Sequence, residues 1–137
     1  MKSISVINNE IVTVTGLFTF KTKHNKAKSL KNDYIVILVT AKDKQEAEAI
    51  SQKLLNEHLI ACANIVSPVT SFFYWMGKVE TADECLIVMK SRSDLFGEIA
   101  GLVKGLHSYE VPEVLALPIV EGSKAYLDWL SVVLKPV

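Results

Sequence analysis

The sequence predicts an α+β fold, a β-α-β-β-α-β plait of the split βαβ kind closed by a C-terminal helix. Three observations predict it. The continuous apolar run Tyr34 to Thr40 feeds a capped amphipathic helix. A long ribbon doubles back at Met76-Gly77. A second helical pattern, Ser93 to Leu106, is followed by a fourth apolar run, Val114 to Val120. At 137 residues and 15.2 kDa the chain has room for one ordinary domain, so these elements must share a core.

Residues 1–33 are read as an N-terminal extension and linker, and 34–137 as the domain. Ile4 to Ile7 and Ile11 to Phe20 are β-rich around Asn8-Asn9-Glu10 and predict a hairpin that must add to the main sheet or to a neighbouring subunit, because an isolated hairpin is only marginally stable. Lysines 21, 23, 26, 28 and 31, with Asn25, Ser29 and Asn32, mark Lys21 to Asp33 as a solvated linker. From Tyr34 the β-branched run to Thr40 reads as a strand buried on both faces. Asp43 and Glu46 have capping-box spacing, and Ala47, Ile50 and Leu54 then share a helical face. Cys62 to Val66 and Val69 to Trp75 form one arm of the ribbon and Val79 to Ser91 the other. Leu95, Phe96, Ile99, Leu102, Val103 and Leu106 make the second helix amphipathic, while Gly97, Gly101 and Gly105 form a stripe expected to allow close packing. Pro118 cannot donate to a ladder, so the fourth strand belongs at a sheet edge or ends there. Tyr126, Trp129, Leu130 and Val133 line one face of the terminal helix that starts at Gly122-Ser123.

Two helices cover one face of such a sheet, yet the strands are apolar on both, and Phe72-Phe73-Tyr74-Trp75 sends aromatic rings to each side. A bare face of that size exceeds the few hundred Å² that monomers tolerate, which predicts an obligate symmetric oligomer. With the turn at Met76-Gly77, Cys62 falls opposite Ser91 and Cys85 opposite Pro68, roughly 20 Å apart, so both are expected as free thiols. Two cysteines, no secretion-signal pattern and no apolar run of bilayer length predict a soluble cytoplasmic protein without a membrane partner. Equal acidic and basic counts argue against nucleic acid as the main partner.

No phosphate loop, His-Glu-x-x-His pair, Cys-x-x-Cys or nucleophile elbow is present. The densest polar cluster, His107-Ser108-Tyr109-Glu110-Val111-Pro112-Glu113, offers an imidazole and carboxylates that a divalent cation accepts; alternatively His107 is a helix-terminal residue and Glu113 an exposed strand start. Cys62 is either a soft metal ligand or a packing residue.

The phrases Ala61-Cys62-Ala63-Asn64, Ser71 to Glu80, His107 to Glu113 and Tyr126-Leu127-Asp128-Trp129-Leu130, in that order and spacing, closely resemble the CutA family of divalent-cation tolerance proteins, over about residues 34–136. The resemblance implies a ferredoxin-like fold, a very stable homotrimer, no established catalytic reaction and a link to copper and other divalent cations. It also implies an intersubunit site carried by Trp75, Lys78, Lys90, His107, Tyr109 and Glu113, with Cys62 nearby. Within that set Trp75, Lys78, Lys90, Tyr109 and Glu113 are the expected ligand-binding residues, and His107, Cys62 and Glu113 the expected metal ligands. Val39 and Leu106 stand where some members have Cys and a second His, and Ser108 where the usual Pro follows the His, so a copper or zinc ion is expected to bind weakly. The leading functional expectation is a non-enzymatic homotrimer of divalent metal-ion response that takes a cation or small ligand at intersubunit clefts. The alternatives are an assembly scaffold presenting residues 1–33, a trimer like the PII signalling proteins, and an activity with His107 as general base and Glu113 as its partner.

Overall fold

A computed structural model describes residues 3–7, 10–15, 18–23 and 34–137. The chain divides into two compact units, Met1–Lys31 and Asn32–Val137. In the first, β1 (Ser3–Ile7), β2 (Glu10–Thr15) and β3 (Phe18–Lys23) form a three-stranded antiparallel sheet of their own. This corrects the expected two-stranded hairpin. Ile11 to Phe20 is divided between two strands, Thr15 pairs with Phe18, and the sequence carries Gly16 at that reversal, a residue that two-residue hairpin connections favour. A third strand lets the segment form a sheet without borrowing an edge from the main one. Lys21 and Lys23 accordingly lie in β3, and the remainder of the expected linker, 24–33, lies outside the described residues.

The second unit runs β4 (Tyr34–Ala41), α1 (Lys44–Asn56), β5 (Cys62–Trp75), β6 (Lys78–Arg92), a 3-10 turn (Ser93–Leu95), α2 (Phe96–Leu106), β7 (Val114–Pro118) and α3 (Lys124–Val133). The sheet order is β5-β6-β4-β7, with every neighbouring pair antiparallel. This is the expected plait. Pro118 ends the edge strand β7, where its missing N–H costs nothing.

Local chemistry sets the element boundaries. Asp43 Oδ1 accepts the Glu46 amide at 2.8 Å, and Glu46 reaches back to the Lys42 amide at 3.0 Å, so α1 begins with two of its end donors satisfied. It ends where His58 takes a left-handed conformation (φ 55°) and the Leu59 amide returns to the Leu54 carbonyl at 3.0 Å. The second helix starts later than Ser93-Asp94 predicts. Asp94 does not cap it, because its carboxylate is held by Arg92 through Nε and, at 2.9 Å, through Nη2. Arg92 also donates to the Lys135 carbonyl at 2.9 Å, which ties the C-terminal tail to the end of β6.

The core lies on one face of the sheet. Ile35, Ile37, Val39 and Ala41 of β4 and Cys85, Ile87 and Met89 of β6 meet Ala47, Ile50 and Leu54 of α1 and Ile99 and Val103 of α2, all buried. Tyr34, Val36, Leu38 and Thr40 alternate with the buried set and remain half-exposed, so β4 is buried on one face rather than two. On the open face α3 shields only one end: the Tyr34 hydroxyl meets Ser131 Oγ, and Cys62 Sγ lies 3.5 Å from the Tyr126 hydroxyl. Leu115 and Leu117 of β7 stay about half exposed, and at the ribbon tip Phe72, Tyr74 and Met76 are 72%, 82% and 86% exposed.

Two further expectations change. From Trp75–Lys78 to Val69–Glu84 the ribbon follows the expected register, then a bulge between Val66 and Val69 shifts it by one, so Cys62 faces Lys90 rather than Ser91. Cys85 has no partner on β5 and pairs on its other side with Ala41 of β4; its thiol donates to Ser67 Oγ at 3.1 Å within the bulge. Both cysteines are free, Cys85 on the core face and Cys62 half-exposed on the open one. The glycine stripe is not a packing surface within the chain, since a Cβ on Gly97, Gly101 or Gly105 would meet nothing within 4 Å. Two substitutions test this picture by chemical denaturation: Ile37→Ala, at a fully buried site, should lose about 2–5 kcal/mol, while Gly101→Ala should gain about 0.4–1 kcal/mol.

Candidate functional site

The cluster after α2 is stapled at three consecutive residues, to strand β4, helix α1 and strand β6. His107 caps α2 in an extended conformation, and its Nε2 lies 2.7 Å from the Thr40 carbonyl at the end of β4. The Tyr109 amide donates to its Nδ1 at 3.0 Å. In this arrangement Nδ1 accepts and Nε2 donates, so both ring nitrogens are already engaged. Between them the Ser108 amide donates to Glu46 Oε1 at 2.6 Å. Burial works against the charge on Glu46, but amide hydrogen bonds from Lys42 and Ser108 outweigh it and hold the carboxyl below its ordinary range. The Tyr109 ring rests 4.9 Å from the His107 ring, and its hydroxyl donates to Glu84 Oε2 at 3.0 Å. Burial, and then the Glu84 carboxylate, push the Tyr109 phenol upward, so it stays protonated and remains a donor.

This loop forms one wall of a groove of about 920 Å³. Tyr109, Glu110, Val111 and Glu113 line that wall, with Thr40 at the base. The ribbon supplies the other: Ser71, Phe73 and Trp75 alternate onto one face of β5, and Glu80 and Glu84 onto the same face of β6. Four glutamates, 80, 84, 110 and 113, thus share the lining with the rings of Phe73, Trp75 and Tyr109, and among the described residues no Lys or Arg lines it, Lys78 standing across the strands from Trp75. Its electrostatic character is anionic, and its walls between the charges are apolar.

Of the expected ligand-binding residues, Trp75, Tyr109 and Glu113 line the groove. Lys78 sits beside it at the ribbon tip, paired across the strands with Trp75. Lys90 does not reach it: it faces Cys62 and donates to the Asn64 side-chain oxygen. Cys62 is also remote, since its partner Lys90 lies four residues along β6 from Leu86, the partner of Thr40, which is about 13 Å away. His107, Cys62 and Glu113 are therefore not brought together within one chain, and His107 acts as a strut behind Tyr109. Among the described residues no group of three or more His, Cys, Asp or Glu side chains is placed to hold a metal ion.

Sequence reasoning missed Glu84 and Thr40, and it held Glu110 only as a member of the polar cluster and Glu80 only as part of the Ser71 to Glu80 phrase. For Glu84 a signal existed, because a period of two places it on the face of Leu86 and Val88, and a carboxylate in an apolar row needs a partner. That the partner is Tyr109, 25 residues away, depends on tertiary placement.

Comparison with known proteins agrees with this architecture. Residues 35–132 match the family model described as CutA1 divalent ion tolerance protein. The chain belongs to the CutA1 family. A relative named Divalent-cation tolerance protein CutA, from Archaeoglobus fulgidus, is 46% identical over 95 residues, covering 69% of this chain and 92% of that one. One of the same name from Thermus thermophilus is 43% identical over the same length and coverage. Among solved structures, CutA1 from Oryza sativa superposes with a TM-score of 0.75 at 38% identity, covering 77% of this chain and 96% of that one. The periplasmic divalent cation tolerance protein CutA from Archaeoglobus fulgidus superposes with a TM-score of 0.73 at 42% identity, covering 74% and 99%. The CutA1 match leaves residues 1–34 outside it.

Two outcomes check the staple. His107→Ala should lose about 1–3 kcal/mol and speed hydrogen exchange at the Tyr109 amide, whose acceptor is gone. Because the Glu46 carboxyl is depressed in the folded chain, its stabilising contribution is complete above its ordinary value near 4.5 and is lost as the pH falls through the lowered value. The urea midpoint of Glu46→Gln should accordingly change less than that of the wild type between about pH 7 and about pH 3.

Proposed function

We propose that this CutA1-family chain is a non-enzymatic protein of divalent-cation response that works as a homotrimer and takes positively charged ligands in acidic grooves at the seams between subunits. The observation that carries the reading is the groove itself, with four glutamates and no basic side chain in its lining, next to exposed apolar surface at the ribbon tip and on the open face. Copper or zinc binds weakly in this reading, since the carboxylates are spread along the cleft and the His107 ring is already engaged at both nitrogens. The same engagement favours a non-enzymatic role, because a general base needs a free lone pair. Cytoplasmic placement rests on the two free thiols, which suit a reducing compartment. A scaffold role for residues 1–33 has one observation in its favour, the separate compact unit Met1–Lys31 with its own sheet.

Light scattering of the purified chain should give three times the 15.2 kDa subunit mass, and a stable single-subunit mass would overturn the assembly. Calorimetric titration with copper or zinc should give weak heats that persist in His107→Ala and vanish in Glu80→Gln/Glu113→Gln. Heats that follow His107 instead would return the imidazole to the ligand set.

A further inference from the structure

The sheet of β1, β2 and β3 has two unlike faces. Its register places Ile4, Val6, Ile11, Phe18 and Phe20 on one face, where the other positions are threonines. The charged residues of these strands, Glu10, Lys21 and Lys23, all fall on the opposite face, together with Ser3 and Ser5. A sheet is stabilised by burying its apolar face against a second layer. Among the described residues of the unit Met1–Lys31 there is no second layer, only the three strands.

The size of the face decides what can cover it. Strands of about six residues at ~3.4 Å rise, spaced ~4.8 Å apart, give a face of roughly 20 Å by 14 Å, about 300 Å². Three such faces gathered round one axis bury roughly 900 Å², less than the approximately 1,200 Å² at which partners meeting from solution form a stable complex. The face is too small to retain a freely diffusing partner. It is large enough to hold a copy that is already tethered beside it.

The chain supplies that tether. Residues 24–33 join the sheet to β4. Ten residues span at most about 35 Å, and three copies of residues 34–137 make a body about 50 Å across. Three sheets on such tethers can therefore reach a common symmetry axis. A tether of this length holds its end at an effective concentration on the order of millimolar.

We propose that residues 3–23 are a second self-association module of the homotrimer, in which the three sheets pack with their Ile4, Val6, Ile11, Phe18 and Phe20 faces together and their lysines outward. The inference rests on the homotrimer reading and goes beyond it, because this contact lies outside residues 35–132, the part that matches the family model.

The experiment uses the full-length protein with one cysteine added on the central strand, Thr13→Cys on the apolar face or Val12→Cys on the other. Each is treated with a bismaleimide of about 10 Å reach, the spacing of packed sheets, and covalent dimers are counted after denaturation. Wild type, with Cys62 and Cys85 alone, sets the blank. Thr13→Cys is expected to give at least about tenfold more dimer than Val12→Cys, with a yield unchanged on dilution from about 20 µM to about 1 µM. Phe18→Asp/Phe20→Asp should bring the Thr13→Cys yield down to the Val12→Cys level while light scattering keeps the trimer mass. Equal yields from the two cysteines, or a Thr13→Cys yield that survives both aspartates, would mark random collision and overturn the module. A yield that falls in proportion to dilution would place the contact between trimers and overturn it too. No dimer from Thr13→Cys in a particle of trimer mass would mean that the face is covered by its own chain or by a foreign partner, which overturns the module and leaves the trimer standing. A single-subunit mass would overturn both.

Discussion

A four-stranded antiparallel sheet with helices α1 and α2 packed on a single face is the constraint from which the rest of this molecule follows. The covered face is filled by Ile37, Ile87, Met89, Ile50, Ile99 and their neighbours at zero or near-zero exposure, which is where the hydrophobic stabilisation of the domain resides. The other face receives only α3 at one end, leaving Leu115, Leu117 and Val66 about half exposed. At the ribbon tip Phe72 and Tyr74 stay largely exposed among the described residues. Apolar surface distributed in this way is covered by other copies of the chain in the oligomer.

The same asymmetry makes the groove. β6 carries a mixed row on the open face, Glu80, Ala82, Glu84, Leu86, Val88 and Lys90, and the loop after α2 leans over its acidic half. That loop is held by hydrogen bonds rather than by a packed core. Thr40 accepts from His107, His107 from Tyr109, Glu46 from Ser108 and Glu84 from Tyr109, so helix α1, strand β4 and strand β6 all anchor one short segment. Histidine at 107 thus serves the site indirectly: it sets the path of the backbone that delivers Tyr109 and Glu113 to the wall. The chemistry of the resulting cleft is that of carboxylates interspersed with aromatic rings.

Much of the fold was legible because periodicity is a local property. The apolar run at Tyr34, the Asp43–Glu46 cap, the turn at Met76-Gly77 and the edge position of Pro118 each follow from residues close together in sequence. The failures share a physical character. The bulge at Ser67-Pro68 shifts the register by one residue, a change that no hydrophobic pattern announces when both faces of the ribbon are apolar. The late start of α2 reflects Arg92 drawing the Asp94 carboxylate away from a capping role. The glycine stripe resembled a packing surface, yet spacing along a helix does not say whether anything lies opposite.

For the site, the sequence by itself determined which residue types were available and placed Trp75, Tyr109 and Glu113 in segments whose order and spacing carry the resemblance to this family. Tertiary structure alone decided which of them meet. It put Lys90 and Cys62 at the far end of the sheet, engaged both nitrogens of His107, and brought Glu84 under the Tyr109 hydroxyl. The reason is that backbone periodicity is governed by neighbours a few residues apart, whereas the lone pairs and charges of a binding site are claimed by partners from distant segments once the chain has packed.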